Sequence, residues 1–136
     1  MSLVIDASIV GAWVLTEENT AAAEAIVETM PRDATWVPQL FPMEIGNILL
    51  AAERRRRISP HYASAQLAII EKMPFRIDVE TAASIWRQTF ALARIERLTV
   101  YDATYLELAL RLGADLATLD KDLAAAARRR GLTVLP

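Results

Sequence analysis

Short apolar runs alternate along this chain with longer stretches in which apolar residues recur at helical spacing. The run Leu3-Val4-Ile5 is typical of a short strand that is buried on both faces. Runs of the same kind predict four more strands, at residues 34–37, 75–79, 116–119 and 132–135. The stretches between them predict helices over about residues 8–14 (beginning at Asp6 or Ser8), 20–30, 38–57, 60–72, 80–94, 100–112 and 121–130.

This alternation of strands and helices is typical of an α/β protein. Parallel strands need a crossover connection, usually a helix, and strands that are apolar throughout are covered on both faces. We therefore predict a three-layer α/β/α sandwich with a mainly parallel central sheet. Because 136 residues are too few to build two separate cores, residues 1–136 should form a single domain.

Composition narrows the chemistry that the chain can carry. Apolar residues make up 54% of the chain, which excludes a disordered protein. The absence of Cys excludes disulfides and thiolate metal sites, and it fits a cytoplasmic location. Because His61 is the only histidine, a zinc site with several imidazole ligands is excluded as well. The longest stretch without Asp, Glu, Lys or Arg has 13 residues, whereas a membrane span needs about 20, so no membrane association is expected.

Four acidic residues occupy positions where the predicted sheet would bring side chains together. Asp6 and Asp120 each come directly after a predicted strand. Glu44 lies among apolar residues early in one helix, and Asp102 lies in the first turn of another. Because ligands of parallel sheets bind at the carboxyl ends of the strands, we expect these acids to converge there. A set of carboxylates without thiol or imidazole ligands favours Mg²⁺, or Mn²⁺ in its place, over Zn²⁺.

Each acid also has an interpretation that involves no chemistry. Asp6 and Asp120 could cap the helices that follow them, and Thr99-x-x-Asp102 has the spacing of a capping box. Glu44 could be a polar residue near the surface at the start of a helix. This interpretation is weakest for Glu44, because a Glu among apolar neighbours is costly to bury without a partner.

Four short motifs follow one another along the chain. They are Val4-Ile5-Asp6-Ala7-Ser8, Glu44-Ile45-Gly46-Asn47, Tyr101-Asp102-Ala103 followed by Tyr105-Leu106 and Ala109, and Thr118-Leu119-Asp120-Lys121-Asp122-Leu123. No single motif is specific to one protein family. The four motifs together, in this order and at these spacings, are. Over nearly its whole length the chain resembles a PIN domain, and within that superfamily a VapC-type toxin of a bacterial toxin–antitoxin pair.

The resemblance implies a metal-dependent endoribonuclease. It makes Asp6, Glu44, Asp102 and Asp120 the catalytic acids, which would bind Mg²⁺ or Mn²⁺. A bound ion of this kind lowers the pKa of a water molecule, which then hydrolyses an RNA phosphodiester bond. The expected products carry a 5′-phosphate and a 3′-hydroxyl.

Supporting roles also follow from the resemblance. Ser8 and Thr118 would orient carboxylates or water, and Asn47 would support Glu44. Asp122 either adds a carboxylate at the rim or only favours the start of its helix.

The resemblance further implies a VapB-type antitoxin, because a free RNA-cutting toxin would harm its own cell. Apolar side chains of the antitoxin's C-terminal segment should lie in a groove between the helices around Val10–Val14 and Ile45–Leu49. An antitoxin Arg or Lys should reach the acids. A homodimer formed through apolar helix faces is the expected assembly.

Two other functions stay open at this point. One is a housekeeping PIN nuclease that has no antitoxin, and the other is a non-catalytic module that uses the same fold to bind RNA or protein. A haloacid-dehalogenase-like phosphatase is excluded, because it needs a second acid where Ser8 stands. A response-regulator receiver needs two adjacent acids after its first strand, and only Asp6 is present. The four glycines are scattered, which excludes a dinucleotide fingerprint and a P-loop.

Basic and aromatic residues add a few further candidates. An arginine run at a helix end either binds RNA phosphates or complements the helix dipole, and it consists of Arg54, Arg55, Arg56 and Arg57. For the second run, residues 128–130, the dipole is the better explanation. The three tryptophans are expected to pack in the core, and they are Trp13, Trp36 and Trp86. For Trp13, which lies near Asp6, stacking on an RNA base is the alternative.

Overall fold

Five short parallel strands form the central sheet of the structure, a computed structural model that describes all 136 residues. The strands are β1 (Leu3–Ile5), β2 (Thr35–Val37), β3 (Arg76–Ile77), β4 (Asp115–Ala117) and β5 (Val134–Leu135). Their order across the sheet is β3-β2-β1-β4-β5, and every neighbouring pair is parallel. The chain winds outward in both directions from β1, so the carboxyl ends of β1 and β4 flank the switch point where such sheets bind ligands.

Helices connect the strands and flank the sheet. They are α1 (Ala7–Val14), α2 (Ala21–Thr29), α3 (Phe41–Arg54), α4 (Pro60–Glu71), α5 (Thr81–Ser84), α6 (Phe90–Glu96), α7 (Val100–Leu112) and α8 (Lys121–Arg129). A π-helical segment, Ile85–Thr89, joins α5 to α6 without a break, so these three form one helix. The α/β architecture and the order of its elements are as predicted.

Local capping signals placed several helix ends correctly. Thr99 Oγ1 accepts a hydrogen bond of 3.1 Å from the N–H of Asp102, and Ser59 Oγ accepts one of 3.0 Å from the N–H of Tyr62. Gly113 ends α7 with a φ of 61°, a conformation that costs glycine little. These bonds involve residues within one helical turn, which is why the sequence alone predicts them.

The hydrophobic core lies on both sides of β1 and β4. Val4, Ile5 and Leu116 on these strands are completely buried, and so is Leu106 on α7. At Gly11 on α1, an added Cβ would lie 3.1 Å from a methyl group of Ile48 on α3. The missing side chain therefore lets α1 and α3 approach closely, and both helices begin at the carboxyl edge of the sheet.

Three local predictions differ from the structure. Helix α3 was expected over residues 38–57 but ends earlier, because Arg56 adopts a left-handed conformation with a φ of 58°. Strand β3 has only two residues, both exposed, since it forms the edge of the sheet.

The expectation of a core position for Trp86 is wrong: its side chain is 84% exposed, on the outward face of the helix formed by α5, the π segment and α6. Trp13 and Trp36 do pack against the core, although neither is fully buried.

A buried ionic network joins the helix that follows β3 to α7. Arg111 on α7 donates hydrogen bonds to both carboxylate oxygens of Asp78, at 3.0 and 2.7 Å, and also binds Glu107 and Glu80. Asp78 and Glu107 are almost fully buried, so the single guanidinium neutralises two carboxylates inside the protein. Sequence patterns do not indicate this network, because Arg111 lies 33 positions from Asp78 and 31 from Glu80.

Candidate active site

Asp6 is a buried carboxylate at the carboxyl end of β1. It is 4% exposed, and its Oδ2 accepts hydrogen bonds of 2.7 Å from both Ser8 Oγ and Thr118 Oγ1. Thr118 directly follows β4, so the carboxylate links the ends of two neighbouring strands. The side chain of Asp6 makes no capping hydrogen bond to α1, so capping does not explain its burial. Both hydroxyls bind the same oxygen, which leaves Oδ1 without a side-chain donor.

Asp120 and Asp102 combine a role at a helix start with a place at this edge of the sheet. Asp120 Oδ1 caps α8 by accepting a hydrogen bond of 2.9 Å from the N–H of Leu123. The N–H of Asp120 donates to Thr118 Oγ1 at 3.0 Å, and the N–H of Asp102 donates to the capping Thr99. The capping interpretation therefore holds for the Asp120 side chain, whereas at the start of α7 the capping side chain is that of Thr99. It still leaves Oδ2 of Asp120 and the carboxylate of Asp102 available for other partners.

Glu44 is half-buried in the first turn of α3 and has one buried partner. The hydroxyl of Tyr105, on α7, donates a hydrogen bond of 2.5 Å to its Oε1. Tyr105 is completely buried, so this bond is shielded from water. Tyr105 belongs to the third sequence motif, but no role was predicted for it. A signal was available: it lies three residues after Asp102, on the same face of α7.

The electrostatics show that the four acids lie within one another's field. Burial is the main cause that raises the pKa of Asp6, Glu44 and Asp102, and for Asp102 the pKa reaches about 6. The negative charges of Asp120 and Asp6 raise the pKa of Asp102 further, and those of Asp6 and Asp102 do the same for Glu44. Burial and the charge of Glu44 also raise the pKa of Tyr105, so its hydroxyl remains a donor.

The carboxylates do not form a closed metal cage. No group of three or more acidic or histidine side chains is arranged to hold an ion by itself. Mg²⁺ does not require such a cage, because it commonly keeps several waters and binds to one or two carboxylates together with substrate phosphates. The available oxygens of Asp6, Asp120 and Glu44, with no sulfur or nitrogen ligand among them, fit Mg²⁺ or Mn²⁺.

Comparison with known proteins places this geometry in a family. The family model of the PIN domain matches residues 3–129. The chain belongs to the PIN domain family. Ribonuclease VapC3 of Pyrobaculum aerophilum is 35% identical to it over 124 residues, which are 91% of this chain and 93% of that protein. This PIN domain is therefore of the VapC type.

Solved structures share the fold of this PIN domain. PAE2754 from Pyrobaculum aerophilum superposes with a TM-score of 0.72 at 24% identity, over 98% of this chain and 89% of that one. VapC20 of Mycobacterium tuberculosis, described as a sarcin-ricin loop cleaving toxin, gives a TM-score of 0.64 at 19% identity, over 92% and 95% of the two chains. These likenesses extend over nearly all of each chain, so the PIN fold here is present as a whole.

The other candidate residues lie at different distances from the acids of the PIN domain. Asn47 is exposed one turn after Glu44 on α3, and the two line the same cleft. Asp122 is exposed in the first turn of α8, and its charge makes only a small contribution to the raised pKa of Asp102. The arginine run begins ten residues after Glu44, about 15 Å along the helix axis, and Arg57 is paired with two glutamates, Glu17 and Glu18.

An apolar groove of about 370 Å³ runs beside α3, next to the edge strand β3. It lies between α3, α4 and β3, and its lining includes Phe41, Ile45, Leu67, Ile70, Phe75 and Ile77. The groove expected between α1 and α3 is not present, because Val10, Val14 and Leu49 are buried in the core. Of the residues in the ranges named for that groove, Ile45 and Gly46 line the observed one. No helix of this PIN domain is both long and apolar enough to cross a membrane.

Proposed function

We propose that this PIN domain is an endoribonuclease that depends on Mg²⁺ or Mn²⁺ and is the toxic component of a toxin–antitoxin pair. The observation that carries the proposal is the set of four acids, Asp6, Glu44, Asp102 and Asp120, which share one electrostatic field at the carboxyl edge of the sheet. The name of its relative, Ribonuclease VapC3, supports RNA as the substrate.

Different residues of the chain have different roles in the proposed reaction. Ser8 and Thr118 hold Asp6 in one orientation by binding Oδ2, which leaves Oδ1 as the oxygen that would bind a divalent ion. Tyr105 holds Glu44 in the same way through Oε1. A bound Mg²⁺ or Mn²⁺ supplies a water of lowered pKa and neutralises charge on the phosphate. Because the acids repel one another without a cation, they favour binding of the ion over an empty site.

The first experiment compares RNA cleavage by the wild type and by Asp102→Asn, with Mg²⁺, with Mn²⁺ and with EDTA. We expect cleavage only by the wild type and only with a metal. Asp33→Asn is a matched control, since Asp33 is an exposed aspartate in the loop before β2, at the opposite edge of the sheet. Cleavage that persists in Asp102→Asn or in EDTA would refute the mechanism.

For the partner, we propose a VapB-type antitoxin whose apolar side chains occupy the groove between α3, α4 and β3. Helix-in-groove recognition needs an open surface that accepts apolar side chains, and apolar residues form most of the lining of this groove. Induced expression without the antitoxin should stop growth. Substitution Leu67→Glu, at a residue 44% exposed in the groove, should release the antitoxin while leaving RNA cleavage intact. Unaffected growth on expression of the wild type would favour a housekeeping nuclease.

We further propose a homodimer formed through the outward face of α6 and the π segment. Trp86 is 84% exposed there and Phe90 lies one turn further on, beneath the guanidinium of Arg94 at 4.9 Å from its ring. Exposed apolar surface of this kind marks protein interfaces. Light scattering should give a dimer for the wild type and for Ile69→Ala, an exposed residue on α4, and a monomer for Trp86→Ala. A monomeric wild type would contradict this assembly.

A further inference from the structure

An open cleft of about 520 Å³ lies beside Glu44. It is formed by α3 and the start of α7, and its lining consists of Leu40, Met43, Glu44, Asn47 and Tyr101. The volume is within the range of about 300–1,000 Å³ that is typical of small-ligand sites. The lining is unusual for a site that holds only an ion and a phosphate, because three of its five side chains are apolar or aromatic.

Two of these side chains are exposed although they are large and apolar. Met43 is 66% exposed and Tyr101 is 62% exposed. Each directly precedes a proposed catalytic acid: Met43 comes before Glu44 on α3, and Tyr101 comes before Asp102 on α7. Successive residues of a helix are turned by about 100°, so each apolar side chain lies to one side of the carboxylate that follows it. Glu44 itself lines the cleft, so the cleft reaches the acids at this residue.

The charge of the cleft restricts what can bind there. Its only charged side chain is the carboxylate of Glu44, and no Lys, Arg or His lines it. A second phosphate would be repelled, whereas a neutral planar group would be accepted. The exposed phenol of Tyr101 presents an aromatic face, Met43 provides a polarizable apolar contact, and the amide of Asn47 can both donate and accept hydrogen bonds.

We propose that this cleft binds one unstacked nucleobase of a single-stranded RNA, next to the phosphodiester bond that is hydrolysed. The proposal rests on the proposed ribonuclease function and adds a base-binding subsite to it. The base stacks on Tyr101 and contacts Met43, and its edge forms hydrogen bonds with Asn47. Recognition of single-stranded RNA commonly combines aromatic stacking with hydrogen bonds to base edges.

The test combines variants of the protein with variants of the RNA. A short single-stranded RNA that the wild type cleaves is prepared with an abasic nucleotide at each position in turn. We expect one position near the cleaved bond at which the abasic RNA raises KM. Tyr101→Ala should raise KM for the intact RNA by about 5- to 150-fold, the range expected for loss of one stacked base, with a smaller change in kcat. Combining the two changes should add little, because both remove the same contact.

Two controls separate base binding from damage to the acids. Tyr101→Phe retains the aromatic face and should keep a KM close to that of the wild type, and Ile69→Ala removes an exposed apolar residue outside the cleft. The rise in melting temperature caused by Mn²⁺ should be the same in Tyr101→Ala as in the wild type. Met43→Ala provides a second route to the same result if Tyr101→Ala does not fold.

The outcomes distinguish the subsite from the function on which it rests. The wild type could cleave RNA while the abasic nucleotide and Tyr101→Ala each raise KM by independent factors that multiply when combined. That result would overturn the subsite and leave the proposed ribonuclease function intact. If the wild type cleaves no RNA, the ribonuclease fails, and anisotropy of a labelled single-stranded RNA decides the subsite: weaker binding by Tyr101→Ala supports it, and equal binding overturns it. Loss of antitoxin binding in Tyr101→Ala with unchanged KM would assign the cleft to a protein and overturn the proposal.

Discussion

The hydroxyl of Tyr105 donates a hydrogen bond of 2.5 Å to Oε1 of Glu44, a residue 61 positions earlier in the chain. This bond connects α7 to α3 within the buried interior below the candidate site. It occupies one carboxylate oxygen and restricts the orientation of the other. Glu44 is only half-buried and sits at a helix start, so the bond to Tyr105 is the side-chain contact that fixes its orientation.

Tyr105→Phe should weaken both metal binding and RNA cleavage. Loss of a partner that orients a metal ligand typically costs about 10- to 100-fold in affinity or activity. Isothermal titration with Mn²⁺ measures the first effect and kcat the second. Tyr62→Phe is the matched control, because the Tyr62 hydroxyl donates a comparable hydrogen bond of 2.6 Å to the carbonyl oxygen of Val14, which is not among the acids. Both variants should lose about 1 kcal/mol of stability, and an equal effect of both on Mn²⁺ binding would rule out a specific role for Tyr105.

Without a bound metal ion, the protein should become less stable as the pH rises towards neutrality, because Asp102 then loses its proton. Burial and the charges of Asp120 and Asp6 raise the pKa of Asp102 from 3.8 to about 6, so between these pH values the folded state holds more protons than the unfolded state. The stability contributed by protonated Asp102 is therefore present below pH 3.8 and lost as the pH rises through about 6. Asp102→Asn should increase the melting temperature without metal at pH 7.5 more than at pH 5. Equal increases at both pH values would show that Asp102 is not perturbed.

Arg111→Met should destabilise the fold without touching the candidate site. The substitution removes the single cation that neutralises the buried Asp78 and Glu107, and such a loss costs about 2–4 kcal/mol when part of the pair is solvent-accessible. Urea unfolding measures the change in the free energy of unfolding. Arg32→Met, at an exposed arginine in the loop before β2, serves as the control and should be close to neutral. A loss below 0.5 kcal/mol, roughly the effect of an ordinary surface substitution, would mean that the network does not stabilise the protein.

The same network should contribute to unfolding in acid. Burial by itself raises the pKa of Asp78, but hydrogen bonds from Arg111 and Thr81 outweigh this and lower the pKa below 3.8. Because the folded pKa is depressed, the stability contributed by ionised Asp78 is present above pH 3.8 and is lost as the pH falls through the folded value. Asp78→Asn should therefore be less stable than the wild type at pH 7 and should lose less additional stability between pH 5 and pH 2.5. Parallel stability curves for the two proteins would contradict this assignment.

The role predicted for the arginine run can be tested through salt. If Arg54 and Arg55 bind RNA phosphates, the double variant Arg54→Ala/Arg55→Ala should raise KM and reduce the slope of log KM against log salt by about 1 to 2. Arg57→Ala serves for comparison, since its guanidinium is already paired with Glu17 and Glu18. An unchanged salt dependence in the double variant would leave the helix-dipole explanation for this run.

Part of this protein follows from the sequence by itself. The apolar runs predict the strands, and Ser59, Thr99 and Gly113 mark helix ends, because strand burial and capping depend on residues close together in the chain. The position of Asp6 and Asp120 directly after predicted strands also predicts that they meet, since parallel strands end at one edge of a sheet. These relationships need no knowledge of how one helix packs on another.

Only the tertiary structure decided which side chains contact one another across the fold. The pairing of Tyr105 with Glu44 and the network around Arg111 join residues on different elements, and their contacts depend on helix positions that apolar periodicity does not specify. Exposure is decided in the same way. Trp86 is a large apolar residue and was expected in the core, yet it points outward, because burial depends on what packs against a helix and not on the residue type alone.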